Sequence, residues 1–164
     1  MTNFIQGSFE KPQLLDKIKK AEYSAPFFHA LFNVLFSDRP LLDRFTLWGE
    51  NLEDMGLAKW TYATYFLFLE DPVNAMFVKP EMLKKSLDLC KYPLVYESRP
   101  SASLYLEILA FSQWLKSKTH TLKPRDMIDV HSFMWHMAPT GKWAADDKVN
   151  CRELADFRTT SNQI

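Results

Sequence analysis

A chain of 164 residues is long enough to bury a substantial core without staples, and 20 Lys and Arg against 20 Asp and Glu remove any global electrostatic argument for nucleic acid. Aromatic residues make up 15% of the chain, so the core is built from large flat side chains, while only four Gly leave little material for a phosphate-cradling loop. Two cysteines, Cys90 and Cys151, lie far apart and outside paired-ligand spacing, which points away from a disulfide framework or a zinc site and toward reduced, cytoplasmic thiols.

The opening "MTNFIQGSFEKPQ" has no basic segment followed by an apolar one, and no run approaches the length that spans a bilayer. A soluble cytoplasmic protein with no membrane partner is expected. "EKPQLLDKIKKAEY" reads as a short amphipathic helix with Pro12 at its first helical position and Leu14, Leu15 and Ile18 on one side. "SAPFFHALFNVLF" repeats the signal with Ser24 as N-cap, but apolar residues surround the axis and leave only His29 and Asn33 as a polar line. That pattern predicts a buried central helix.

"DRPLLDRFTLW" gives a third short helix ended by Gly49, and "ENLEDMG" an acidic loop or a turn of helix. "KWTYATYFLFLEDP" fits a buried strand or a buried helix, and its length and helical setting favour helix, closed by Asp71-Pro72. Lys79-Pro80 opens a helix that carries Met82, Leu83, Leu87 and Cys90 inward. The extended pieces "MFV" and "YPLVYESRP" can pair as a small two-stranded β-ribbon, which would have to lean on helices.

"SASLYLEILAFSQWLKSK" is the clearest helix, with Leu104, Ile108, Phe111 and Leu115 as its stripe and lysines in the last turn. In "LKPRDMIDVHSFMWHM" a helix starting near Pro124 puts Met127, Val130, Met134 and Met137 on an apolar face, with Arg125 and Asp129 four apart and able to pair. Beyond it, "APTGKW" is a turn, Asn150 caps a short helix through Phe157, and "RTTSNQI" a frayed tail. The fold class is therefore mainly α, a single-domain helical bundle over residues 1 to 158 with a flexible tail at 159 to 164.

Two chemistries compete for the polar residues. Asp126, Asp129, His131 and His136 are the material for a small hydrolytic or metal-dependent enzyme. Neighbours on one helix project side by side, however, and no Gly-flanked serine or His-x-x-x-His pair in this stretch supports a triad or a metal site. No catalytic residue, metal or cofactor is assigned. Residues 79 to 125 hold nine Lys and Arg against four Asp and Glu, whereas residues 38 to 72 hold three against seven. The basic set is Lys79, Lys84, Lys85, Lys91, Arg99, Lys116, Lys118, Lys123 and Arg125, interleaved with Tyr92, Tyr96 and Trp114, a mixture that contacts phosphates and stacks on bases. The bland counterpart is a set of solvated helix faces.

The segments "KWTYATYFLFLEDPVNAMFVKPEMLKKS", "YESRPSASLYLEILAFSQWLK" and "LKPRDMIDVHSFMW" together resemble the helical region upstream of the ATPase core in McrB-like AAA+ restriction and related prokaryotic defence proteins. There a "tyFLFl.dP…f.KP" segment precedes an "RDmiD.qSf.W" segment, and the likeness covers about residues 58 to 137. Two departures stand out: the chain has no Walker-type loop, so nucleotide hydrolysis is not carried over, and His131 stands where the pattern has Gln. The resemblance implies a non-catalytic specificity, adaptor or assembly module beside an ATPase or nuclease partner, and the basic set adds nucleic acid as a candidate ligand of such an accessory or recognition domain. A purely structural protein-interaction domain is the further alternative, and the oligomeric state is left open.

Overall fold

Helix α1 (Glu10–Ile18) starts two residues before the expected Pro12, and only Lys19 and Lys20 separate it from α2 (Ala21–Phe36), against which it packs. The computed structural model describes residues 9–137, and within them five more helices follow: α3 (Leu41–Asp54), α4 (Trp60–Glu70), α5 (Pro80–Cys90), α6 (Ala102–Lys118) and α7 (Met127–Met137). All seven contribute to one hydrophobic core, so the mainly helical bundle expected from periodicity is what forms. The turn, short helix and tail expected after Met137 lie outside the described residues.

Apolar residues ring both α2 and α4, yet only α4 is central. Trp60, Thr61, Tyr62, Ala63, Thr64, Leu67 and Phe68 are all buried there. On α2 only Phe27 and Val34 are buried, while Phe28, Phe32 and Phe36 remain more than half exposed, so the expected buried central helix is corrected to a peripheral one. Its start is corrected too. Helix α2 begins at Ala21, with the Lys20 carbonyl accepting from Tyr23 and Ser24 N–H, and Pro26 therefore sits inside the helix and forfeits one ladder bond.

Helix α3 does not stop at Gly49. It runs on to Asp54 because Leu52 and Met55 continue its buried stripe one turn beyond Trp48. The stop comes at Gly56, whose φ of +65° lets Leu57 N–H reach back to Leu52 O at 2.7 Å. Gly49 thus carries a mid-helix glycine penalty with open space where a Cβ would go. Gly49→Ala is expected to stabilise the fold by about 0.5–1 kcal/mol, read as a rise of a few degrees in the thermal midpoint. A lowered midpoint would contradict this reading of the site.

No strand forms among the described residues, so the β-ribbon expectation is corrected as well. The reason lies in where the extended backbone finds partners. Met76 N–H donates to Tyr105 Oη, which donates in turn to Met76 O, both at 3.2 Å, and Val78 N–H donates to Thr64 Oγ1 at 2.9 Å. On the second extended piece, Trp60 Nε1 donates to Glu97 O at 2.8 Å. Helix side chains supply bonds that a neighbouring strand would otherwise have made.

Candidate nucleic-acid interface

Helix α5 ends in a left-handed residue, Lys91 (φ +50°), and that turn lets Tyr92 N–H bond Leu87 O while the chain leaves in extended form. The exit places the Tyr92 ring 4.9 Å from Phe111 and 5.2 Å from Trp114 on α6, and Trp60 pins the far end of the segment through Glu97. Between α5 and this segment lies an open groove of about 410 Å³ lined by Lys84, Leu87, Asp88, Lys91, Tyr92, Leu94 and Tyr96. Lys84 Nζ sits 5.7 Å from the Tyr96 ring centre, and Lys118 Nζ 5.9 Å from the Trp114 ring centre, extending the basic and aromatic surface along α6.

The structure thus gathers some of the nine expected cations and disperses the others. Lys84 and Lys91 both line the groove, and Lys118 lies over Trp114, whose ring neighbours the groove's Tyr92. Lys85 is exposed elsewhere on α5. Lys79 is partly buried over Phe77 and Trp135, where burial pulls its pKa below the ordinary lysine value. Arg99 pairs with Glu53 of α3, and Lys116 donates to the Arg125 carbonyl. Lys123 occupies a second left-handed turn, with φ +52°.

Electrostatically the groove is self-balanced when empty. Lys84 pairs with Glu81 and Lys91 with Asp88, each three residues away on the same helix. The Lys84 hydrogen bond holds the Glu81 carboxyl below its usual range. These pairs are exposed and screened by solvent, so each contributes little and a phosphate can take over either lysine at small expense. Burial raises the Tyr96 phenol above its ordinary pKa, so the ring stays neutral and available for stacking. Sequence reasoning read Leu87 correctly as buried core but missed that Leu87 and Leu94 also line the groove. It also missed that Lys91 adopts the left-handed turn where Gly is the usual choice.

Of the residues of the competing enzyme reading, Asp126 and Asp129 meet at the start of α7. Asp126 Oδ1 accepts from Ile128 and Asp129 N–H at 2.9 and 3.1 Å and so caps α7, whose start moves from the expected Pro124 to Met127. Asp129 clasps the Arg125 guanidinium through two bonds of 2.9 Å and accepts its backbone N–H, which holds the carboxyl down to about 2 and raises the Arg125 pKa. His131 is buried between the Phe68 and Phe77 rings, and His136 is exposed. Among the described residues no three His, Cys, Asp or Glu side chains are placed to share a metal ion, and no helix is long and apolar enough to cross a membrane.

The two motif segments behind the family resemblance meet in the core. Met127 N–H donates to Pro72 O at 2.7 Å, Phe68 and Phe77 flank His131, and Lys79 lies over Trp135. Those motif residues act in packing and capping. Comparison with protein-family models, with curated proteins and with solved structures finds no match to this chain.

Proposed function

We propose that this chain is a non-catalytic binding module, an accessory or recognition domain of a prokaryotic restriction or anti-phage defence system, and that it contacts single-stranded nucleic acid through the groove beside α5. The observation that carries this reading is the convergence of Lys84, Lys91, Tyr92 and Tyr96 on one open groove, continued by Trp114 and Lys118. Cations near the groove can track a phosphate backbone while Tyr96, over which Lys84 already sits, offers a face to a base. A duplex holds its bases stacked, so the flexible single strand suits a groove of this kind better. The defence setting is supported by the resemblance over residues 58 to 137.

The test is fluorescence anisotropy with labelled single-stranded and duplex oligonucleotides across about 50 to 300 mM salt. Single strands are expected to bind more tightly than duplex, with affinity falling as salt rises. Lys84→Ala should reduce the salt slope by about 0.7, and Tyr96→Ala should weaken binding by about 5- to 100-fold. Absence of binding at the lowest salt, or binding indifferent to both substitutions, overturns the reading.

A further inference from the structure

The peripheral position of α2 leaves an apolar seam on its outer side. Ala21, Ala25, Phe28 and Phe32, all exposed, follow one another at spacings of four, three and four, the repeat by which one helix packs along another, and half-buried Leu35 continues it at the edge of the core. Phe28 and Phe32 are 54% and 63% exposed, and neighbouring Phe36 is 52% exposed with its ring 5.2 Å from that of Phe32. At about 200 Å² per phenylalanine side chain, these three rings leave roughly 300–350 Å² of apolar surface in water. A standard interface takes about 800 Å² from each partner, somewhat more than half of it apolar. Three side chains of one helix therefore supply most of the apolar share that one partner contributes.

The seam is graded in size. Its N-terminal end carries Ala21 and Ala25, its C-terminal end Phe32, Leu35 and Phe36, with Phe28 midway. A helix of the same sequence laid antiparallel sets each small end against the other's large end, whereas a parallel copy would set ring on ring at one end and leave a gap at the other. Antiparallel alignment also opposes the two helix dipoles favourably. We propose that a second copy of this chain covers α2, the two helices pairing antiparallel about a two-fold axis near Phe28, with Ala25 of each copy against Phe32 of the other. This goes beyond the nucleic-acid reading and does not depend on it.

The experiment is sedimentation of the full chain from about 1 to 200 µM, with two single variants, Ala25→Glu and Phe32→Lys, and their equimolar mixture. Both positions are exposed, so the helical circular dichroism should be unchanged. Wild type is expected at twice the monomer mass at the upper concentrations. Each variant places a charge in an apolar contact and should weaken dimerisation on the order of a hundredfold. Mixing them restores a dimer, because antiparallel pairing sets the introduced carboxylate of one variant against the introduced ammonium of the other, which a parallel pair does not do. A wild type that stays monomeric throughout, a dimer indifferent to Phe32→Lys, or variants that fail to recover on mixing each overturns the proposal. So does a monomer that loses thermal stability on Phe32→Lys, since another segment of the same chain would then cover the face.

Discussion

Acidification from about pH 7 to pH 4.5 is expected to cost the fold about 2 to 3 kcal/mol through His131 alone, a large part of the stability of a domain this size. The side chain is 4% exposed, packed against Phe68 and Phe77, and burial together with the nearby Lys79 cation holds its pKa down to about 4, against an ordinary 6.5. Below pH 6.5 the unfolded chain takes up a proton that the folded one refuses until about pH 4. The contribution is thus fully present above 6.5, is lost progressively as the pH falls, and levels off below 4. Asp129 titrates lower, near 2, and its loss of stability belongs to the separate window between its ordinary 3.8 and that value. Urea denaturation at a series of pH values, with wild type beside His131→Gln, isolates the effect. Glutamine carries no group that titrates in this range, and the variant should lose the slope between pH 6.5 and 4. Equal slopes in the two proteins would show that His131 does not govern the acid limb.

Removing one oxygen atom from Tyr105 is expected to destabilise the fold by about 2 to 4 kcal/mol, more than a typical surface substitution by several-fold. The ring stacks on Phe45 at 4.6 Å, and Tyr105→Phe keeps that contact. What it loses is the hydroxyl that serves both the N–H and the C=O of Met76, leaving two buried backbone groups without that partner. Burial raises the phenol's pKa further above its ordinary value, so the donor proton is held throughout the accessible pH range. Thr64→Val removes the acceptor of Val78 N–H and should cost about 1 to 3 kcal/mol. The two losses act on one extended segment, so the double variant should fall short of their sum, and the Met76 and Val78 amides should exchange faster in both. A cost under about 1 kcal/mol for Tyr105→Phe would mean that the segment holds its place without helix side chains.

Much of the architecture was legible because helical periodicity records burial directly. The stripe Leu104, Ile108, Phe111 and Leu115 on α6 is buried as read, and so are Met82, Leu83 and Leu87 on α5. The Arg125–Asp129 pair is also present. Periodicity has no answer where apolar residues ring the axis, as on α2 and α4, since neither helix then has a distinguishable inner face. The candidate groove was half legible. Its lysines and tyrosines stood out as a mixture, but which of nine cations share a surface depends on the turn at Lys91 and on ion pairs with acids that sequence cannot orient.

The sequence by itself determined the helices, because spacing, prolines and polar caps act within a few residues of one another. The Arg125–Asp129 pair was legible for the same local reason, whereas the Asp126 cap that starts α7 at Met127 was not. Tertiary structure alone decided that α4 is central and α2 peripheral, and that the segments around Met76 and Glu97 bond to helix side chains instead of to each other. Those outcomes are set by contacts between residues far apart in the chain, where the competing arrangements bury similar surface and only packing and the saturation of every backbone group separate them.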